Sequence, residues 1–231
     1  KYGRHAFLVT GQGTLGRLGI VEQAKNSLIT SGIKITEWSG VGTNPTVQVI
    51  DDGGIAAREA GCDLVIGLGG GSVIDFAKIV ALLALHPGTC WDYINTPERP
   101  GQPIPDGTLP VIAIPSTSGT GSEATPAAMV TNPDVPMKKG MGSPQFFPKV
   151  SIVDADILMH MAPQLTAWTG ADGLAMALEA FVSNKASPVN RAMARESLRW
   201  IVKYLPQTFA DGFNLEDRLK VAWGVSLSGI A

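Results

Sequence analysis

Along the first two-thirds of the chain, short apolar runs alternate with stretches whose apolar residues recur at helical spacing. Ala6–Thr10 is a compact apolar run and reads as a first strand. Residues 21–30 carry helical spacing and stop at Ser31-Gly32, and Ile33–Trp38 reads as a second strand. Residues 46–60 are helical in pattern, with Thr46 or Asn44 as the cap. Leu64–Leu68 reads as a buried strand, after which Gly69-Gly70-Gly71-Ser72 opens a helix reaching about Leu85. Residues 86–109 are rich in Pro, Gly and turn formers and predict a long loop. Val111–Ile114 is a further strand, followed by a Ser/Thr/Gly loop. Ala127–Thr131 reads as extended, Asn132-Pro133-Asp134 as a turn, and Val150–Val153 as the last strand. Such alternation is the mark of a parallel sheet with crossover helices.

After Pro163 the strand pattern stops. Three helical segments follow, at about 164–184, 188–205 and 214–230. The expected fold class is α/β, with a Rossmann-like parallel-sheet domain over residues 1–162. The start of an all-helical domain over 163–231 follows it. That second stretch lies in a size range where a single core is marginal, so it reads as the beginning of a domain.

Composition narrows the picture. Of 231 residues, 45% are hydrophobic and only 16% charged. This implies a large core, an oligomer interface or surface made for a further segment. The formal net charge is −2, with Lys and Arg scattered, so nucleic acid is not an expected partner. No apolar run reaches membrane-span length, the longest lying around Ile79–Leu85. Lys1–His5 lacks the apolar core of a signal peptide. Cys62 and Cys90 show no metal-ligand spacing and read as reduced thiols of a cytoplasmic protein.

Four motifs carry candidate chemistry. Gly11-x-Gly13-x-x-Gly16 follows the first strand like a dinucleotide fingerprint, with Glu37 ending the next strand where a ribose-binding acid would sit. A flexible turn explains it equally simply, because the residues after it are too glycine-rich to start a helix firmly. Gly69-Gly70-Gly71-Ser72 has the firmer strand-to-helix context. Missing side chains admit a phosphate, the helix N-terminus offers N–H donors, and Ser72 with Asp75 resembles a capping box. Residues 115–125, with their hydroxyls, follow a strand and read as the second wall of a nucleotide cleft. Finally, Asp172, Met176 and Glu179 share one helical face, and an Asp buried on that apolar helix calls for a metal or a hydrogen-bond partner.

Gly69–Asp75, Pro115–Thr125, Asp154-Ala155-Asp156, Thr169–Phe181 and Ser39–Thr46 together resemble the iron-containing (group III) alcohol dehydrogenases over nearly the whole chain. The resemblance implies reversible hydride transfer between a small-molecule alcohol or aldehyde and NAD(P), in a homo-oligomer. It implies a pyrophosphate on Gly69, Gly70, Gly71 and Ser72, with Asp75 by the nicotinamide. Ser116, Thr117, Thr120 and Thr125 would line the nucleotide, Lys138 would stand near the nicotinamide ribose, and Asn44 and Pro45 on the adenosine side. Ser39 falls where NAD-preferring members tend to carry Asp, which tilts the expectation toward NADP. The family's Fe²⁺ or Zn²⁺, held by one Asp and three His, would polarise the substrate oxygen. Asp172 matches that Asp, but Met176 stands where the first His belongs, and His5, His86 and His160 match none of the others. The chain is expected to be shorter than the family at both ends. A non-catalytic nucleotide-binding fragment or degenerate paralogue is the alternative.

Overall fold

The structure is a computed structural model and describes residues 1–231. Its elements, in order, are β1 (His5–Gly11), α1 (Thr14–Arg17), α2 (Ile20–Thr30), β2 (Lys34–Val41), α3 (Val47–Glu59), β3 (Leu64–Gly69), α4 (Gly71–Leu83), β4 (Val111–Pro115), β5 (Ala127–Asn132), β6 (Met137–Gly142), β7 (Val150–Ser151), α5 (Ala155–Leu158), α6 (Pro163–Val182), α7 (Pro188–Ala210) and α8 (Leu215–Ile230). A five-stranded sheet runs in the order β2-β1-β3-β4-β7, and β5 pairs with β6 in a separate two-stranded sheet.

The chain forms two compact units. The first joins Lys1–Ala113 to Pro126–Val150, and the second joins Ile114–Thr125 to Ser151–Ala231. They divide the chain differently from a single boundary at 162/163. The 114–125 stretch stays with the helices because Glu123 accepts a 2.6 Å hydrogen bond from Ser226 of α8. Residues 153–161 stay with them because Val153, Leu158 and Met161 pack on Ala222.

In the first unit β1 pairs in parallel with both β2 and β3. Every residue of β3 is buried, as expected of a strand covered on both faces. α4 is apolar nearly all round, and twelve of its residues, Gly71 and Val73–Leu83, are buried. Trp38 of β2 lies between Phe7 and Phe76, with ring centroids 6.0 and 5.9 Å away. β2 runs on to Val41 rather than ending at Trp38. Its register with β1 slips between Val9 and Gly11, and Gly40, at φ 83, carries the chain through that irregularity.

In the second unit α6, α7 and α8 pack through small residues. α6 buries Thr166, Gly170, Gly173 and Ala177, which recur at helical spacing along one face. Ser197 donates to the Gly224 carbonyl at 2.6 Å, where α7 meets α8. Arg218, only 2% exposed, donates to the Gly212 and Met161 carbonyls and to Thr166 Oγ1, tying three segments together. Burial lowers its pKa. Large apolar side chains point outward on the same helices, among them Trp168 at 65% and Val182 at 69% exposure.

Candidate functional site

The turn after β3 is built for close approach. A Cβ on Gly69 would come within 2.6 Å of Val73 Cγ2, so β3 and α4 leave no room for a side chain there. Gly70 is the N-cap of α4, in an extended conformation, and no side chain caps that helix end. The capping box expected of Ser72 and Asp75 does not form. Ser72 Oγ instead accepts the Asn44 N–H at 3.3 Å, and Asp75 Oδ2 accepts the Met129 N–H at 3.1 Å. The first N–H groups of α4 therefore have no side-chain acceptor of their own, which is how a helix N-terminus serves an anion.

Two more segments converge on this turn. Asn44 is the one non-glycine residue with positive φ, at 56°. Its backbone meets Ser72, and its Oδ1 accepts from Lys138 Nζ at 2.8 Å. The Pro45 carbonyl accepts the Thr131 N–H at 3.1 Å, and Thr131 faces Lys138 across the β5–β6 pair. The structure thus brings together Asn44, Pro45, Gly69–Ser72, Asp75 and Lys138. Sequence reasoning missed Lys78, which is 0% exposed and donates to the Ala127 carbonyl at 2.8 Å. Its position in an apolar helix, one turn after Asp75, was the available signal.

The turn after β1 differs. Gly13 has φ 91 and Gly19 φ 74, and the intervening α1 spans only Thr14–Arg17. Arg17 Nη2 donates to Thr14 Oγ1 at 3.2 Å, so a guanidinium and a hydroxyl stand together beside Gly13. Glu37 is not at the strand end. It pairs with Leu8 in mid-strand, while Val41 pairs with Gly11 at the edge. Four residues of strand put it about 13 Å short of that edge. Lys25 Nζ holds its carboxylate at 2.8 Å. Hydrogen bonds to Glu22 and Glu37 raise the Lys25 pKa in return. Ser39 is exposed, two residues before the end of β2.

The remaining expected residues belong to the helical unit. Ser116, Thr117 and Thr125 are half-buried and Thr120 is exposed, its Oγ1 accepting the Ser122 N–H at 3.3 Å. Asp172 is exposed, contrary to the burial expected of it, because the inward stripe of α6 is its small residues. Met176 is half-buried, and its methyl packs by Gly121: a Cβ added there would come within 3.1 Å of it. No cluster of three His, Cys, Asp or Glu residues suited to a metal ion occurs in the chain. One carboxylate and a thioether turned to packing do not fit Fe²⁺ or Zn²⁺, whose sites use several hard or imidazole ligands. Cys90 is fully buried, and burial, then the neighbouring Asp51, push its thiol pKa far up, against the thiolate form.

A parallel sheet with an uncapped glycine turn at the carboxyl end of β3, followed by a helical unit, defines an α/β fold of the Rossmann-like kind. Comparison with known families matches residues 1–155 to iron-containing alcohol dehydrogenase. Residues 166–231 match the C-terminal part of the Fe-containing alcohol dehydrogenase family. The chain belongs to the iron-containing alcohol dehydrogenase family. It is 35% identical over 239 residues to long-chain-alcohol dehydrogenase 1 of Geobacillus thermodenitrificans (strain NG80-2), covering 100% of this chain and 58% of that protein. Among solved structures, an archaeal halo-thermophilic Red Sea brine pool alcohol dehydrogenase superposes with a TM-score of 0.96 at 38% identity, over 99% of this chain and 58% of that one. Sulfoacetaldehyde reductase from Bifidobacterium kashiwanohense, solved in complex with NAD⁺, superposes at 0.89 and 31% identity, over 99% and 59%. The chain thus spans somewhat under two thirds of the length of these relatives. No helix is long and apolar enough to cross a membrane.

Proposed function

We propose that the chain binds a nicotinamide dinucleotide for reversible hydride transfer between a primary alcohol or aldehyde and NAD(P), with the pyrophosphate on Gly69, Gly70, Gly71 and Ser72. The observation that carries this reading is the uncapped start of α4, flanked by the Ser72–Asn44–Lys138 hydrogen-bond chain. Backbone N–H groups and the helix dipole there favour a diphosphate. Asn44 and Pro45 border the adenosine side, and the Lys138 ammonium supplies a positive charge toward a ribose and its phosphate. The dinucleotide supplies the hydride, and the protein's part is to bind and orient it. No step is assigned to a metal, because the donor set on α6 does not suit one.

The same reading favours NADP. Glu37, the acid that would select a ribose 2′-hydroxyl, sits in mid-strand and is paired with Lys25. In the turn after β1, Thr14 Oγ1 and the Arg17 guanidinium stand together beside Gly13. A guanidinium beside a hydroxyl and a glycine turn meets a 2′-phosphate well. The test is titration of NADPH and NADH into the wild type and Arg17→Ala. Arg17→Ala is expected to weaken NADPH about tenfold, roughly 1.4 kcal/mol, and to leave NADH unchanged. Equal losses for both cofactors, or wild-type NADH binding more than about tenfold tighter than NADPH, would overturn the preference.

A further inference from the structure

Arg218 is a buried cation without a counter-ion. Its side chain is almost wholly enclosed, and no carboxylate pairs with it. Three of the five N–H groups of its guanidinium are used, and all three acceptors are neutral. Nε donates to the Gly212 carbonyl at 2.8 Å, Nη1 to Thr166 Oγ1 at 2.6 Å and Nη2 to the Met161 carbonyl at 3.0 Å. One N–H on each terminal nitrogen is left over. A charge taken out of water is costly unless an opposite charge or a full set of hydrogen bonds meets it. Gly212 lets the chain pass this close, since a Cβ there would come within 2.6 Å of Nη2.

The guanidinium lines a cavity of about 440 Å³ in the helical unit. Met159, Pro163, Phe209 and Phe213 give it apolar walls. The start of α6 borders the same cavity through Ala162 and Pro163, and no side chain caps it. Free N–H groups at a helix start favour an anion further. Asp211, the one carboxylate on the lining, turns its Oδ1 to the Phe213 N–H at 3.0 Å. A carboxylate takes two N–H groups of a guanidinium at once, and apolar walls suit an apolar body behind it. We propose that this cavity binds a small monocarboxylate, its charge on Arg218 and its aromatic or short aliphatic body against Phe209 and Phe213.

Benzoate is the probe, and no dinucleotide is present. Its binding is followed by ligand-observed NMR with the wild type, Phe213→Glu and Arg218→Lys, with thermal unfolding of each. Benzamide and inorganic phosphate are compared on the wild type. The wild type is expected to bind benzoate saturably at about 1 mM, a strength in keeping with so small a ligand. Benzamide, of the same shape without the charge, should bind at least about tenfold more weakly. Phe213 stands 76% exposed, so Phe213→Glu should leave the unfolding midpoint unchanged. Its new carboxylate competes for the guanidinium and should weaken benzoate about tenfold. Arg218→Lys keeps the charge without the fork and should lose about fivefold. Should Arg218→Lys not fold, Phe213→Glu carries the test. No saturable benzoate binding by the wild type, or binding undiminished in either folded variant, overturns the inference. Benzamide or phosphate binding as tightly as benzoate overturns it too, the first by removing the need for charge, the second by removing the need for an apolar body.

Discussion

Gly69 and Gly13 are glycines for different reasons, and the difference decides what a methyl group does at each. At Gly69 the obstacle is packing: the added Cβ would meet Val73 at 2.6 Å, inside a strand and helix that are both buried. Overpacking of that kind costs about 1–3 kcal/mol. Gly69→Ala is therefore expected to lower the unfolding midpoint by about 2–12 °C for a chain of this size, and an unchanged midpoint would refute the packing argument. At Gly13 the positive φ is the main cost, in an exposed turn. The glycine run was legible as a strand-to-helix turn, but the division of labour within it was not. Nor could the sequence show that Ser72 and Asp75 turn away from their own helix, since Asn44 lies 28 residues before one and Met129 lies 54 after the other. Capping is a local expectation, and distant donors displaced it.

Among the elements, those with a clean period were readable and those with mixed chemistry were not. β1, β3 and α4 follow apolar patterns closely. The apolar pattern of β2 ends at Trp38, whereas a positive-φ glycine and a register slip let the strand continue to Val41. That extension is what moves Glu37 away from the edge. β6, with the sequence Met-Lys-Lys-Gly-Met-Gly, has no strand pattern of its own and exists through pairing with β5. On α6 apolar residues occur all round, which predicts a buried Asp172. The structure buries the small residues and leaves Asp172 outside. Met176 departs from the family's ligand pattern, and its methyl lies where a Cβ added to Gly121 would come within 3.1 Å of it. After dialysis against Zn²⁺ or Fe²⁺ and then metal-free buffer, elemental analysis should find under about 0.1 equivalent of metal, given a donor set far short of the usual three protein ligands. Near-stoichiometric metal that disappears in Asp172→Ala would show that a ligand set forms there after all.

At the scale of the whole chain, the alternation of strands and helices and the later all-helical stretch were both visible in hydrophobic spacing. The affiliation of the 114–125 loop was not, because the bond that holds Glu123 to Ser226 spans 103 residues. The high apolar content has a visible destination in part: besides the buried β3 and α4, large side chains such as Trp168, Val182 and Trp223 stand outward on α6 and α8. The placement of the dinucleotide on Gly69–Ser72 is tested most directly by titrating NADH, which has no 2′-phosphate for Arg17 to hold, into the wild type, Gly70→Val and Gly13→Ala while monitoring its fluorescence. Saturable binding by the wild type, lost in Gly70→Val at an unchanged unfolding midpoint and kept within about threefold, or roughly 0.7 kcal/mol, in Gly13→Ala, is the expected result. Binding that survives Gly70→Val and is abolished by Gly13→Ala would place the pyrophosphate on the turn after β1 and contradict it.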